Sequence, residues 1–454
     1  MENKYQSLLG EASVSKLIWK MSIPSIIGVM AYNIYNIIDT IYVAKGVGTN
    51  AAGGLAVSFP LFLFLSAVTT TLGSGAASVM SRAFGEKDYE KANKTAANTI
   101  GLFYFIAILV TIFGLIFLNQ LLYAMGVMDS LLPYAKSYTR IILIGAVTST
   151  AFSSLIRAEG SSKYAMYVWV IPMLTNIILD PVFIFGFQMG VSGAAVATVI
   201  AQCVSVVMSI YYFFLSGKSS LKIKLRHFIP NGKILQEIVF IGMPSFVQMF
   251  GYSISIIIIN QILKKYGGDL SISTYGIVSK INTFLIIPMN GILQGIQPII
   301  GYNYGAQKKQ RVWETIKRAS FITGIYGAVI SLSLIVLAEP IMYIFTSDPA
   351  VIRMGSYILK IINIGILFSG IQSIQSTYFQ AVGKKLASLI LSLCNYILCF
   401  IPVTLIMSGI YELNGVWYSF PISTIMSLFI STIFLINSLR KELYESGEIT
   451  TDNE

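Results

Sequence analysis

Apolar runs of membrane-spanning length follow one another along almost the whole chain, and this feature constrains the fold most strongly. A helix needs about 20 apolar residues to cross the hydrocarbon core of a bilayer. Segments that cross lipid must satisfy their own backbone hydrogen bonds, so runs of this length predict helices. We expect about a dozen spans, at 16–43, 54–80, 95–118, 133–157, 164–187, 191–216, 236–264, 274–300, 316–338, 352–380, 386–409 and 414–438.

Composition excludes a soluble protein, because 55% of the 454 residues are hydrophobic and only 11% are charged. The loops between the runs are too short for a soluble domain. The first run is of full spanning length and continues into polar residues near its end, so we expect no cleavable signal peptide.

The net charge of +11 reflects topology rather than nucleic-acid binding. Loops on one side of the predicted membrane carry most of the basic residues, namely Arg82, Lys87, Lys91, Lys94, Arg157, Lys163, Lys218, Lys222, Lys224, Arg226, Lys233, Lys308, Lys309, Arg311, Lys317 and Arg318. The opposite loops hold only Lys45, Lys264, Lys265 and Arg353. Because basic loops stay in the cytoplasm, we predict that both termini are cytoplasmic.

The sequence repeats itself once, with an offset of about 220 residues. SIPS at 22–25 recurs as GMPS at 242–245, and RIILIG at 140–145 recurs as KIINIG at 360–365. Each repeat holds six predicted spans, so both begin on the same side of the membrane. Such repeats are typical of secondary transporters. We predict a first lobe at 1–216, a cytoplasmic linker at 217–235, a second lobe at 236–440 and a cytoplasmic tail at 441–454.

The first span carries a carboxylate near its far end, Asp39. A charge within a spanning helix costs roughly 3 kcal/mol or more, which favours a functional role, although neighbouring helices alone can also satisfy such a group. Tyr32, Tyr35 and Asn36 lie seven, four and three positions earlier and share its side of the helix. Pro24 interrupts the hydrogen-bond ladder of the same helix, so we predict a bending point there.

Two further spans of the first half carry polar residues at helical spacing. Asn176 and Asp180 are four apart in the fifth span, directly before Pro181, and Thr198 and Gln202 are four apart in the sixth. We predict a second conformational hinge at Pro181. Together the three spans offer hard oxygen ligands to the interior of the first half, where two nearby carboxylates cannot both stay ionised at low cost. The pair is therefore expected to bind H⁺ or Na⁺.

The second half does not repeat this chemistry. Ile259 and Ile401 stand where the repeat places Asp39 and Asp180. The only histidine, His227, falls in the basic linker and is expected to be solvated. The three cysteines fall inside predicted spans without a Cys-x-x-Cys pair, so we expect neither disulfides nor a zinc site.

The combination of Pro24 and Asp39, NIILDP at 176–181, and Gly85 and Gly305 closing the second and eighth spans resembles the multidrug and toxic compound extrusion (MATE) family. Within it the chain is most similar to the MepA-like bacterial branch, with carboxylates like those of the DinF-like branch. The resemblance implies an all-α membrane protein of 12 helices, in two six-helix lobes related by pseudo-two-fold symmetry and arranged as a V.

The resemblance also implies an antiporter of the bacterial cytoplasmic membrane that exports organic, often cationic, drugs or toxic compounds against H⁺ or Na⁺. The family's cation site carries over onto Asp39, Asn176, Asp180 and Thr198, which are also the possible Na⁺ ligands. We expect substrate to bind at Tyr32, Tyr35, Asn36 and Gln202, since aromatic faces beside negative charge suit a cation. The second-half carboxylate found in some relatives is absent, because Tyr252 stands there. We expect no cofactor, no nucleic acid and a monomer in contact with membrane lipid.

Three other classes remain as alternatives. A lipid-linked oligosaccharide flippase shares this architecture, but it is expected to line its cavity with basic rather than acidic residues. A channel is expected to show a ring of charge or a filter segment. A membrane-embedded enzyme needs a nucleophile and base or a metal cluster, and the predicted spans contain no histidine.

Overall fold

The computed structural model describes residues 4–148 and 152–445, and every regular element in these residues is a helix. The first half contains α1 (Lys4–Glu11), α2 (Val14–Gly46), α3 (Thr49–Gly85), α4 (Tyr89–Ile116), α5 (Leu118–Ala124), α6 (Leu132–Ile144), α7 (Phe152–Ala158), α8 (Ser162–Pro181) and α9 (Val191–Ile210). The second half contains α10 (Gly232–Tyr266), α11 (Gly268–Gly305), α12 (Lys309–Phe345), α13 (Pro349–Ile362), α14 (Ile366–Ala381), α15 (Lys385–Leu393) and α16 (Ile401–Glu445).

Among the described residues, ten helical segments are long and apolar enough to cross a membrane, and α13 with α14, bent by 44°, adds an eleventh. The last of the ten, Lys385–Arg440, holds two passes. Glu412 interrupts its helix with φ 51°, and Thr404 Oγ1 donates to Ser419 Oγ at 2.9 Å across that point. Fifteen residues of straight helix would separate these groups by about 22 Å, so the chain turns back here. The all-α fold with twelve spans is confirmed.

Several spans extend further than hydropathy predicts, and α3 and α4 extend into polar sequence. α3 continues from the predicted end at 80 to Gly85, and α4 begins at Tyr89 rather than at 95. Hydropathy marks only the part of a helix that crosses lipid. Beyond it the helix continues until a local signal ends it, such as the Asp88 side chain, which accepts from the Lys91 N–H and caps α4.

The internal repeat is visible in two broken helices. α6 ends at Ile144 and gives way to a 3₁₀ turn at Gly145–Thr148, and α13 breaks before α14 at the matching place. In each case a hydroxyl of the preceding long helix binds a carbonyl beside the break. Thr111 Oγ1 donates to the Leu143 carbonyl at 2.6 Å, and Ser331 Oγ donates to the Asn363 carbonyl at 2.6 Å.

Close helix contacts near the predicted cytoplasmic ends depend on glycine. A Cβ at Gly85 would lie 2.0 Å from the Tyr302 carbonyl oxygen, and one at Gly305 would lie 2.2 Å from that of Arg82. A Cβ at Gly75 would meet the Ile238 carbonyl oxygen at 2.0 Å. These glycines therefore let the backbones of α3, α10 and α11 touch.

The chain divides into two compact units. The first comprises Met1–Gly242 with Asn290–Lys309, and the second comprises Met243–Met289 with Gln310–Glu454. The start of α10 belongs to the first unit, where Glu237 forms an ion pair with Arg82 at 2.9 Å. The core of the second unit includes Ile259 and Trp417, both almost fully buried. The division into lobes, linker and tail at 216, 235 and 440 stays a prediction.

The segment between α9 and α10 is fastened to the first unit, and the prediction of a solvated His227 is wrong. Its side chain is 1% exposed, within a single 3₁₀ turn at Leu225–Phe228. Its Nδ1 accepts from the Lys224 N–H at 3.1 Å, and its Nε2 lies 3.4 Å from Glu90 Oε2. The basic composition of the segment predicted that the ring would be exposed to solvent. Instead, polar partners on α4 and in the turn itself satisfy its nitrogens in a buried position.

Candidate functional site

Three helices of the first unit bring the predicted cation ligands together. α2 carries Asp39, α8 packs along α2 and carries Asn176 and Asp180, and α9 packs on α8 and carries Thr198. All four side chains are buried, with Asp180 fully inaccessible to solvent. Polar groups are rarely placed so deep unless they bind one another or a ligand.

Hydrogen bonds join these residues into one cluster. Asn176 Nδ2 donates to Asp180 Oδ1 at 3.2 Å and lies 3.4 Å from Thr198 Oγ1. The carboxyl groups of Asp39 and Asp180 lie within hydrogen-bonding reach of each other. Two negative charges this close repel each other strongly, so the carboxyl pair favours a shared proton or a bound cation.

Three oxygen atoms of the cluster are buried without a hydrogen-bond donor: Asp39 Oδ1, Asn176 Oδ1 and Asp180 Oδ2. A buried acceptor left unpaired costs about 1–3 kcal/mol, so three at one place are suited to binding a proton or a cation. Carboxylate and amide oxygens are hard ligands that suit Na⁺ as well as a proton. Among the described residues no three His, Cys, Asp or Glu side chains form a metal-binding group. Two carboxylates, an amide and a hydroxyl are oxygen ligands, and such a set fits a monovalent cation better than a transition metal.

Several aromatic side chains lie near the carboxylates. The Tyr32 ring packs edge-on against Tyr35 at 5.6 Å and against Trp169 at 5.0 Å between centroids. Tyr35 and Tyr138 lie close enough to interact electrostatically with both Asp39 and Asp180. Sequence reasoning found Tyr32 and Tyr35 but missed Trp169 and Tyr138. Helical spacing relates residues within one helix only, and these two lie on α8 and α6.

The remaining predicted substrate residues have different surroundings. Asn36 Nδ2 donates to the Tyr32 carbonyl at 2.7 Å, and the Tyr32 hydroxyl has Asn36 and Ser66 as partners. Gln202 Oε1 accepts from Thr148 Oγ1 at 2.8 Å. The structure therefore places Asn36 with the aromatic group, and it ties Gln202 to the 3₁₀ break that follows α6.

The two predicted hinge prolines behave differently. α2 runs without interruption past Pro24, which is buried. α8 ends at Pro181, and a π-helical turn follows at Val182–Gly186. A π turn is a common way to accommodate a proline in a spanning helix and to satisfy the freed backbone groups. Asp180 thus sits at the last α-helical turn before a change of helix type.

A family model described as MatE matches residues 24–182 and 244–406, which is well over half of the chain. The chain belongs to the MATE family. The two matched segments begin at Pro24 and Pro244, so they coincide with the internal repeat. The chain is therefore a membrane transporter and not an enzyme, and these comparisons do not favour the flippase alternative.

Relatives of this MATE protein agree in sequence and fold. The multidrug export protein MepA of Staphylococcus haemolyticus (strain JCSC1435) is 27% identical over 436 residues, which cover 95% of each chain. An outward-facing multidrug resistance MATE family transporter of the MOP superfamily matches with a TM-score of 0.91 at 25% identity, over 97% of this chain and 100% of that one. A MATE structure in a bent conformation matches with a TM-score of 0.92 at 25% identity, over 99% and 100%. The MepA-like MATE resemblance is confirmed.

Proposed function

We propose that this MATE transporter exports small organic compounds, many of them cationic, from the cytoplasm by exchange for H⁺ or Na⁺. The observation that carries the proposal is the set of three buried, unpaired oxygens on Asp39, Asn176 and Asp180. The relatives described above are multidrug export and multidrug resistance proteins, which supports the substrate class.

The mechanism that we propose depends on competition for negative charge. With the coupling ion absent, the carboxylates of Asp39 and Asp180 attract an organic cation, and the faces of Tyr32, Tyr35 and Trp169 add cation–π attraction. Binding of H⁺ or Na⁺ at Asp39, Asn176, Asp180 and Thr198 neutralises the carboxylates, and the organic cation is released. One charge cannot be satisfied by both ligands, so each lowers the affinity for the other.

Conformational change would follow from the position of Asp39. The residue shares α2 with Pro24, where the backbone lacks one hydrogen bond and the helix bends at low cost. We propose that a change of charge at Asp39 alters this bend, and that the π turn after Pro181 lets α8 follow. Gln202, bound to Thr148, extends the substrate contacts to the end of α6.

We propose the bacterial cytoplasmic membrane as the location, with both termini in the cytoplasm. The asymmetry of lysine and arginine between alternate loops supports this orientation. The protein is proposed to act as a monomer, since all four ligands of the cation site come from one unit of one chain.

Transport by purified protein in proteoliposomes tests the function. A fluorescent organic cation is loaded, and a pH gradient and a Na⁺ gradient are imposed separately. We expect one of the two to drive efflux against the substrate gradient. If neither gradient changes the rate while the protein equilibrates the dye passively, the antiport mechanism is wrong. If the protein moves labelled lipid-linked oligosaccharide and not the dye, the substrate class is wrong.

A further inference from the structure

The segment that joins α9 to α10 is held on the first unit by buried polar side chains. Asn93 Oδ1 accepts from the Lys222 N–H at 2.7 Å. Asn98 Nδ2 donates to the His227 carbonyl at 2.9 Å, and its Oδ1 accepts from the Asn231 N–H at 2.8 Å. Both asparagines are buried on α4. A loop fastened at both ends in this way presents a fixed surface rather than a mobile one.

The outward surface of this segment is apolar at its centre. Leu225 is 90% exposed and Ile229 is 70% exposed, while His227 between them faces inward. Leaving a leucine and an isoleucine in water forgoes about 1.5–3 kcal/mol each, relative to burial. The backbone bonds to Asn98 keep both side chains outward, so the fold does not bury them itself.

The helix that holds the segment sets its depth. α4 rises about 1.5 Å per residue, so Asn98 lies about 13 Å from the start of the helix at Tyr89. The 18 residues from Asn98 to Ile116 span about 27 Å, close to the thickness of the hydrocarbon core. We therefore place Asn98 near one boundary of that core, and Ile229, whose carbonyl oxygen lies 3.4 Å from Asn98 Nδ2, at the same level. Asn93 and Lys222 lie about 7 Å further out, at the level of the lipid headgroups.

The exposed charges around the apolar pair are basic. Lys222, Lys224 and Arg226 all expose their side chains. Arg226 is paired with Glu90 at 3.3 Å, and the same carboxylate also lies 3.5 Å from Lys94. One carboxylate shared by two cations leaves a net positive surface, which attracts the anionic headgroups of a cytoplasmic leaflet.

We propose that the surface formed by Lys222, Lys224, Leu225, Arg226 and Ile229 docks on the cytoplasmic leaflet and binds anionic phospholipid. Leu225 and Ile229 enter the boundary of the hydrocarbon, and the basic side chains hold the phosphate groups above them. The first unit is thereby anchored to the bilayer beside the start of α10. The cytoplasmic side rests on the orientation proposed above, but lipid binding is measured without any transport.

The depth of the surface is tested with Leu225→Cys labelled with bimane in a Cys203→Ser background, since Cys203 is exposed and the other two cysteines are buried. The protein is placed in bilayers containing lipids that carry a doxyl quencher near the headgroup or deep in the chain. We expect strong quenching by the shallow label and weaker quenching by the deep one. Fluorescence that neither label quenches puts the segment in water and overturns the proposal.

Lipid specificity is tested on the otherwise native chain with Lys222→Gln/Lys224→Gln. Its matched control is Lys264→Gln/Lys265→Gln, which removes two charges at the other end of α10. Binding of phosphatidylglycerol is titrated in phosphatidylcholine nanodiscs. We expect affinity about thirtyfold weaker in the first variant, since each basic residue near an anionic surface contributes about fivefold.

The control is expected to bind as the wild type does, and inorganic phosphate at millimolar concentration is not expected to compete. Equal affinity in the wild type and the Lys222/Lys224 variant contradicts the proposal, as does an equal loss in the control. Displacement by free phosphate would make the surface an anion site rather than a lipid-docking surface. None of these results depends on whether the protein exports organic cations.

Discussion

Buried carboxylates occur in two different settings in the first unit. Glu159, between α7 and α8, is fully buried, and both of its carboxylate oxygens accept hydrogen bonds. Ser219 Oγ donates at 2.8 Å, the Ser220 N–H at 2.9 Å and the Tyr212 hydroxyl at 3.3 Å. Asp39 and Asp180 each keep a buried oxygen without a donor. At the scale of single residues, the satisfied acid is structural, and the unsatisfied pair is suited to binding.

Glu159 makes the stability of the protein depend on pH. Burial raises the pKa of its carboxyl from 4.5 to about 7, and the three donors only partly oppose this. The folded state then holds its proton to higher pH than the unfolded state, so stability is full below about pH 4.5 and declines towards pH 7. From this group alone, the free energy of unfolding falls by about 2–3 kcal/mol between pH 5 and pH 8.

Glu159→Gln is expected to flatten this decline, because the amide keeps an acceptor but does not titrate. The melting temperature of detergent-purified protein, followed from pH 5 to pH 8, measures it. Glu86→Gln, at an exposed acid after α3, is the control and is expected to keep the wild-type slope. Identical slopes for the Glu159 variant and the wild type would refute the assignment.

Much of the candidate site could be predicted residue by residue. Asp39, Asn176, Asp180 and Thr198 were found because polar groups stand out in apolar helices and lie at helical spacing. The burial of His227 and Glu159 could not be predicted. Both sit in polar loop sequence, and their partners come from elements distant in the chain, such as Glu90 and Ser219.

At the scale of helices, the glycine contacts between α3 and α11 set how closely the backbones approach. Gly85→Ala and Gly305→Ala are each expected to destabilise the protein by about 1–3 kcal/mol, since the new Cβ must displace backbone. Gly101→Ala is a matched control inside α4, where a Cβ meets nothing within 4 Å. It is expected to stabilise by about 0.5–1 kcal/mol through helix propensity.

Thermal melting of the three variants measures these effects. The critical result is that the change in stability has opposite signs at Gly101 and at the other two glycines, because all three substitutions add one methyl group to a helix. A loss of stability in Gly101→Ala equal to that in the other two would mean that the close approach of α3 and α11 is not what the glycines provide.

The two repeat-related prolines provide a second comparison between helices. Pro24→Ala restores a backbone N–H in α2 and is expected to slow turnover more than it weakens substrate binding, and to shift the H⁺ or Na⁺ dependence of efflux. Pro244→Ala removes the matching proline of α10. This helix carries Ile259 where the repeat aligns it with Asp39, so it has no acid at that position. It is expected to alter rate or stability and to leave the ion dependence unchanged. Efflux measured against pH and Na⁺ decides this, and equal shifts in the two variants would contradict a mechanism confined to the first half.

Helix type and helix breaks were the least predictable features at this scale. Hydropathy gave the number of spans, but the 3₁₀ turn after α6 and the π turn after Pro181 depend on which neighbour accepts the freed backbone groups. Thr111 supplies such a partner to Leu143, from 32 residues away. Sequence periodicity describes spacing within one helix, so it does not predict such contacts between helices.

The whole molecule combines a repeated scaffold with chemistry that is not repeated. The break in each half, with its hydroxyl from the preceding helix, follows the sequence offset of about 220 residues. The acids do not, since Ile259 is part of the apolar core of the second unit, and Ile401 begins α16. The repeat therefore predicts the fold, whereas the candidate cation site lies at positions where the two halves differ in sequence.

Orientation in the membrane is a property of the whole chain and has its own test. In the Cys203→Ser background, a cysteine replacing the exposed Lys222 is expected to resist an impermeant thiol reagent in intact cells and to react after permeabilisation. One replacing Lys264 is expected to react from outside. Labelling of the Lys222 position in intact cells would reverse the proposed topology.

The most direct test of the central claim separates coupling from substrate movement. Asp39→Asn and Asp180→Asn keep the size of the side chain but cannot change charge with the coupling ion, and Asp269→Asn changes an exposed acid in the first turn of α11 as a control. In proteoliposomes, we expect both buried-site variants to lose gradient-driven efflux against the substrate gradient while retaining some dye exchange without a gradient, and the control to match the wild type. Gradient-driven efflux at the wild-type rate in either buried-site variant would contradict the account.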